Sequence, residues 1–293
     1  MKYVYVVPSR RLGKSLGVNL TPFKTCTYSC VYCQLGRTTC KTVERKEFFK
    51  KEEILREIES ALKTNPDYVT FAGEGEPTLY SKLKWLLDRI EEKTAVITNS
   101  SLLWRKDVRE DLMNADVCLP SLDCATEKTF RKLNRPHRSL TLSKVVEGLL
   151  EFSDEYGGKI MLEIMLVKGY NDSREELEKM AEIVKEMKVD VVHVLTPIRP
   201  PASDVEKVDA EKLLEAMSFF KGCAIDFPEG KDFDFSTFSS LNEAVRIMSR
   251  HPMREDQVKE MAKHFNASVK DVEEIEGVFC KEFGGIKYYF YKK

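Results

Sequence analysis

Between residue 16 and about residue 228, short apolar runs alternate with stretches whose apolar residues recur every three or four positions. The runs Leu16–Leu20, Tyr68–Ala72, Ala95–Thr98, Asp116–Leu122, Ile160–Val167 and Val191–Leu195 read as strands. Between them, Ile54, Leu55, Ile58 and Leu62 share one helical face, as do Leu83, Leu86, Leu87 and Ile90. Val145, Val146, Leu149 and Leu150 make a third such face, and Leu177, Met180, Ala181 and Val184 a fourth. Alternation of this kind predicts an α/β fold with a parallel sheet flanked by helices. About six units predict a partial (β/α)6 TIM-like barrel over residues 1–230, with ligands at the C-terminal ends of the strands. A helix at Ala210–Phe220 and a short run at Cys223–Phe227 are expected to close it. The polar stretch Glu229–Thr237 reads as a linker. Beyond it, Leu241–Ser249, Glu255–Phe265 and Val269–Glu276 are helical patterns. Val278–Phe283 and Ile286–Tyr291 flank Gly284-Gly285 as a hairpin. Three helices and a hairpin predict a small C-terminal winged-helix domain over residues 238–293.

Chemistry enters just after the first strand. Cys26, Cys30 and Cys33 crowd one loop as Cys-x-x-x-Cys-x-x-Cys. Three thiolates so close can hold three irons of a [4Fe-4S] cube and leave the fourth iron open, whereas clusters held wholly by protein usually have four cysteines. On spacing alone, a zinc site with Cys40 as fourth ligand is the alternative. After the second strand, Gly73-Glu74-Gly75-Glu76-Pro77 combines glycines, which admit a ligand close to the backbone, with carboxylates that accept from an ammonium. Thr98-Asn99-Ser100 and Ser121-Leu122-Asp123 place polar side chains at the next two strand ends. The same residues also suit turn and helix-capping roles. Glu163 and Met165 share one face of the fifth strand.

The cysteine loop and the strand-end residues resemble the radical SAM superfamily. There the open iron chelates the amino and carboxylate groups of S-adenosylmethionine, whose reductive cleavage gives a 5′-deoxyadenosyl radical. The resemblance implies Cys26, Cys30 and Cys33 as cluster ligands. It implies Glu74, Gly75, Glu76 and Pro77 as the turn around the methionine ammonium, with Glu76 as the contacting carboxylate and Glu74 where the family has glycine. Asn99, Ser121 and Asp123 fall at positions that meet the ribose, and Met165 or Glu163 at one that faces adenine. Pro8–Gly17, Asn19, Gln34-Leu35-Gly36, Leu133-Asn134-Arg135-Pro136, Val167–Asp172 and Arg199-Pro200-Pro201 are similar to an uncharacterised archaeal and bacterial branch grouped with wyosine-forming tRNA enzymes. The cofactors so implied are a [4Fe-4S] cluster and S-adenosyl-L-methionine, with an electron donor such as ferredoxin or flavodoxin.

Charge narrows the partners. The net formal charge is −1, so the whole molecule is not a basic nucleic-acid binder. Residues 1–46, however, carry nine Lys or Arg against Glu44 alone, and Phe130–Arg138 is basic as well. Both should lie at the strand-end face, which points to an anionic substrate, RNA and tRNA first among them. The third C-terminal helix, Ser268–Glu276, sets four acids against Lys270 and does not fit the major groove of DNA. Tyr288, Tyr289 and Tyr291 read as packing of the hairpin. No stretch has the length of a membrane span, the N-terminus is not a signal peptide, and the scattered remaining cysteines fit a reducing cytoplasm. Two other readings stand beside RNA modification: a radical enzyme acting on a peptide or cofactor precursor gripped by the C-terminal domain, and a non-enzymatic iron–sulfur or zinc-stabilised RNA-binding protein.

Overall fold

A computed structural model describes residues 2–9, 11–220, 223–225 and 235–292. Arg10, residues 226–227 of the expected closing run and residues 229–234 of the linker lie outside this description. Eight strands follow one another across the main sheet in chain order. They are β1 (Val4–Ser9), β2 (Gly13–Val18), β3 (Tyr68–Phe71), β4 (Thr94–Thr98), β5 (Val117–Pro120), β6 (Lys159–Met165), β7 (Val191–Leu195) and β8 (Cys223–Ile225). β1 runs antiparallel to β2, and every later neighbour is parallel. The crossovers carry α1 (Lys51–Ala61), α2 (Leu83–Leu87), α3 (Lys106–Leu112), α4 (Glu127–Leu133), α5 (Leu142–Glu155), α6 (Arg174–Glu186) and α7 (Ala210–Phe219). The result is an α/β fold built on a mostly parallel sheet.

Strand side chains alternate between two apolar environments, as a period of two requires. Val69, Phe71, Val96, Cys118, Leu162 and Val194 join the large core beneath the helices. Ala95, Ile97, Val117, Leu119 and Met161 join Leu12 on the opposite face. Because both faces are covered, the strands read as nearly continuous apolar runs. The amphipathic helices bury the faces expected of them, Ile54, Ile58 and Ala61 in α1 and Leu177, Met180 and Val184 in α6. Thr126, Thr141, Ser173 and Asp209 cap α4, α5, α6 and α7 by accepting from backbone N–H groups of the first turn.

Two strands depart from the expected pattern. β1 is not among the strands expected from the sequence, and its Pro8 is tolerated because, among the described residues, β1 is an edge strand of the sheet. Its Val4 and Val6 enter the large core, while Tyr5 and Val7 pack against a second cluster near the C-terminus. β2 begins at Gly13 and stops at Val18, because Asn19 turns its side chain onto Thr21 O at 2.9 Å.

That second cluster is built from α8 (Leu241–Val245), the tight turn Arg246–Ser249, α9 (Glu255–His264) and α10 (Val269–Glu273). They pack on three antiparallel strands, β9 (Met253–Arg254), β10 (Val278–Phe283) and β11 (Ile286–Tyr291), with β11 in the middle. The short β9 adds a third strand to the hairpin seen in the sequence. Tyr289 is fully buried in this cluster, and Tyr288 gives its hydroxyl to Ile198 O at 2.6 Å, so both serve packing.

The helix layer makes one close approach that can be tested. A Cβ at Gly148 of α5 would lie 2.1 Å from the backbone nitrogen of Trp104. Gly148→Ala is therefore expected to lower the thermal midpoint by the equivalent of ~1–3 kcal/mol, despite alanine's better helix propensity. Gly157→Ala, with nothing within 4 Å of its Cβ, is the control that should unfold near the wild-type temperature.

Candidate active site at the strand ends

The loop that leaves β2 carries the three cysteines and is braced on several sides. Thr25–Cys26 pairs in parallel with Cys40–Lys41, and Thr42 N donates to Cys26 O. Cys33 N reaches Cys30 O at 3.3 Å, which winds the end of the motif into a turn. Each sulfur has a donor aimed at it. Lys24 Nζ lies 3.1 Å from Cys33 Sγ, Asn99 Nδ2 3.5 Å from Cys26 Sγ and Asn134 Nδ2 3.5 Å from Cys30 Sγ. Burial, reinforced by the Glu76 charge, pushes the Cys26 thiol up to about 12, and burial with the Asp123 charge pushes Cys30 up as well. Thiols so placed ionise only when a metal claims the sulfur, and the surrounding donors then stabilise the thiolates.

This donor set fits an iron–sulfur cluster with one protein ligand on each of three irons. It does not fit the zinc alternative, because Cys40 is exposed on the strand paired with Thr25–Cys26, opposite Thr25. Among the described residues no three His, Cys, Asp or Glu side chains gather tightly enough to close on a single ion.

The turn after β3 is docked directly on the cysteine loop. Lys24 N donates to Glu74 O at 2.7 Å and Glu76 N to Thr25 O at 3.2 Å. Only glycine fits at position 75, where a Cβ would fall 1.9 Å from Thr25 O. Glu76 is 1% exposed, and its carboxylate accepts from Thr78 N and Oγ1, Thr98 Oγ1 and Asn99 N at 2.6–3.1 Å. Burial raises its pKa while these donors pull the other way. Glu74 is the more exposed carboxylate. It accepts from Asn19 Nδ2 at 2.9 Å and from Arg250 Nε at 2.6 Å, so the C-terminal cluster reaches this turn.

At the next strand ends, Asn99 donates to Thr27 Oγ1 at 2.8 Å as well as approaching Cys26. Asp123 is buried and accepts from Tyr32 Oη, from Asn134 Nδ2 at 2.8 Å and from Met165 N at 3.0 Å. It caps no helix; Thr126 has that role for α4. Glu76, Asn99 and Cys26 thus belong to one hydrogen-bonded network, and Asp123, Asn134, Tyr32 and Cys30 to a second on the other flank of the loop. Ser121 Oγ instead reaches backbone, Thr98 O at 3.4 Å. The Met165 side chain packs beside Val31, Leu133 and Val167. Glu163 forms an ion pair with Arg11 at 2.7 Å.

Sequence reasoning missed Lys24, Tyr32 and Asn134 as supports of the site. Asn134 lies in the Leu133–Pro136 motif and Tyr32 next to Cys33, so position hinted at both; a single buried lysine leaves no pattern.

The two basic stretches do meet. Val31 N and Ser29 N donate to Leu133 O and Asn134 O, His137 N donates to Thr27 O, and Lys41 Nζ reaches Arg135 O at 2.8 Å. Exposed Arg37, Lys41 and Arg138 and half-buried Arg135 therefore rim the cysteine loop. The local excess over residues 1–46 overstates this rim. Lys24 is buried at Cys33, Arg11 is paired with Glu163, and Arg45 is paired with Asp107 and Asp111.

Residues 20–184 match the family profile described as the Radical SAM superfamily. A UPF0026 protein of Methanocaldococcus jannaschii is 39% identical over 301 residues, spanning 97% of this chain and 94% of its own. A protein of Thermotoga petrophila named "Probable dual-specificity RNA methyltransferase RlmN" is 25% identical over 210 residues, 64% of this chain and 57% of its own. The crystal structure of a radical SAM methyltransferase from Sphaerobacter thermophilus superposes with a TM-score of 0.61 at 14% identity, covering 78% of this chain and 70% of that one.

The site predicts a metal stoichiometry and a ligand set. Anaerobic reconstitution should load about four irons and about four sulfides per chain. Alanine at Cys26, Cys30 or Cys33 should abolish loading, and Cys40→Ala should leave it intact. Lys24→Met should weaken cluster retention by about 10–100-fold against a competing chelator, as loss of a supporting hydrogen bond does. Full iron content in Cys30→Ala would refute the ligand assignment.

Proposed function

The chain belongs to the radical SAM superfamily, an enzyme family whose cofactors are a [4Fe-4S] cluster and S-adenosylmethionine, and from that premise we propose that it modifies RNA, with tRNA the leading substrate. The observation that carries this reading is the convergence of Arg37, Lys41, Arg135 and Arg138 around the cysteine loop from two separate stretches of chain. A cationic rim at the reacting end of the sheet suits a phosphate backbone. The RNA methyltransferase relative adds support from outside the chain.

In this reading the sheet is a partial (β/α)6 barrel over residues 1–230, and residues 238–293 form a small winged-helix domain. Cys26, Cys30 and Cys33 hold three irons. When bound, the cluster supplies the electron that cleaves the sulfonium of S-adenosylmethionine. Glu74–Pro77, Asn99, Ser121, Asp123 and Met165 line the side that takes this cofactor. Glu76, expected as the carboxylate that contacts the methionine ammonium, is 1% exposed and already takes four donors, so in this reading it acts from beneath and fixes the turn whose backbone meets the ammonium. Ferredoxin or flavodoxin is the class of electron donor. No helix of the described residues is long and apolar enough to cross a membrane, and we place the enzyme in the cytoplasm.

A second reading has a peptide or cofactor precursor as substrate. It draws on Arg250, which brings the C-terminal unit to Glu74 at the active-site turn.

Two experiments follow. Glu76→Gln keeps an acceptor at the network but removes the charge, so iron content should hold while S-adenosylmethionine affinity falls by about tenfold or more. Iron analysis and calorimetry on the reconstituted protein read the two quantities, and wild-type affinity in this variant would remove Glu76 from the cofactor site. Separately, tRNA binding by the holoenzyme should weaken steeply with salt. Neutralising Arg37, Lys41 and Arg138 should flatten the slope by ~1 for each phosphate that no longer meets a cation. Absent or salt-insensitive tRNA binding would favour the second reading.

A further inference from the structure

Three aromatic rings among the described residues stand exposed, Phe23 at 48%, Phe279 at 40% and Trp104 at 37%. Phe279 stacks on Phe290 with 5.2 Å between centroids, and Lys144 Nζ sits 5.0 Å over the Trp104 ring. Among the described residues, Phe23 alone of the three has no ring or cation of this kind against it. It lies three residues before the first cysteine.

The exposure of Phe23 is imposed by the residue beside it. Thr25 N donates to Pro22 O at 3.0 Å, which closes a turn with Phe23 and Lys24 at its corners. Lys24 takes a φ of +58°, a left-handed conformation that a residue with a side chain rarely adopts. Its surroundings hold it there. Lys24 N donates to Glu74 O at 2.7 Å, Lys24 O accepts from Thr39 N and Cys40 N at 3.2 Å, and its amine lies 3.1 Å from Cys33 Sγ. A left-handed residue locked between the cofactor turn and the cysteine loop is strain kept at a functional site. With Lys24 turned inward and buried, the other corner of the turn is carried out into solvent.

The ring stands beside the cationic rim. Thr39 Oγ1 donates to Phe23 O at 3.4 Å. Thr39 lies two residues from Arg37 and two from Lys41, both exposed, and Lys41 Nζ in turn reaches Arg135 O at 2.8 Å. Cations meet the phosphates of any nucleic acid, paired or not. A free aromatic face takes a base only when that base is splayed out of its helix.

We propose that Phe23 is a stacking platform that holds an unpaired base beside the cysteine loop, so that the substrate is a single-stranded segment or loop of RNA and not a duplex. This inference rests on the RNA reading and deepens it: the rim attracts the backbone, and Phe23 selects unpaired nucleotides.

The test titrates the anaerobically reconstituted full-length protein with a synthetic RNA hairpin that has an unpaired loop, and with an RNA duplex carrying the same number of phosphates. The hairpin should bind more tightly. Phe23→Ala should weaken the hairpin by about fivefold or more, as loss of one base–aromatic stack does, and leave the duplex affinity and the salt slope unchanged. Arg37→Gln should do the reverse, lowering the salt slope for both RNAs. Phe23→Trp should keep the hairpin affinity, and the fluorescence it adds over wild type should be quenched by the hairpin and not by the duplex. If Phe23→Ala loses iron, this quenching decides. Binding of neither RNA by the wild type refutes the RNA reading, and this inference with it. Hairpin binding that is unchanged in Phe23→Ala, or a loss equal for hairpin and duplex, overturns the role of Phe23 alone and leaves the RNA reading standing.

Discussion

The buried carboxylate of Glu76 is the constraint on which the reaction end of the molecule depends. It draws together the hydroxyls of Thr78 and Thr98 and the backbone of Thr78 and Asn99. Its own backbone N–H holds Thr25 O, one residue before the first cysteine. A charge buried this deeply is tolerable only with such a full set of donors. The cost of leaving those donors unmatched keeps β3, β4 and the cysteine loop in one arrangement. Asp123 repeats the device on the far side, linking Tyr32 of the same loop to Asn134 and to the end of β6. Two buried carboxylates thus pin the two flanks of one loop, and each also connects, through Asn99 or Asn134, to a cysteine sulfur.

Much of this was legible in the sequence because it is local. The strands β3 to β7 are contiguous apolar runs, and the cysteine spacing and the glycine turn are short motifs. What stayed hidden depends on residues far apart in the chain. β1 went unrecognised as a strand because its two apolar faces serve different clusters, one of them formed some 240 residues later by the segment around Val245 and Met248. Asp123 looked like a helix cap because an acid before a helical pattern is the usual signal, yet Thr126 took the cap and Asp123 turned inward. The basic count over residues 1–46 was correct as arithmetic and misleading as a surface, since Arg11, Lys24 and Arg45 point at partners elsewhere in the fold.

The cations of the rim differ physically from those where the sheet meets the C-terminal unit. On the rim, Arg37, Lys41 and Arg138 are exposed to solvent, where salt screens them. Where the sheet meets the C-terminal unit, Arg11 and Arg250 are held by carboxylates, at 15% and 18% side-chain exposure. Charges of the second kind are screened much less by salt.

The hydrogen bond from Gln34 Nε2 to Arg250 O joins residues 216 apart in the sequence. Contacts between residues so distant in the chain are slow to form and bring a large loop-closure entropy with them. The wall on this side of the cysteine loop is therefore set by the tertiary fold and not by the loop's own sequence, so the surroundings of Cys33 and Gln34 can be altered by changes more than two hundred residues away.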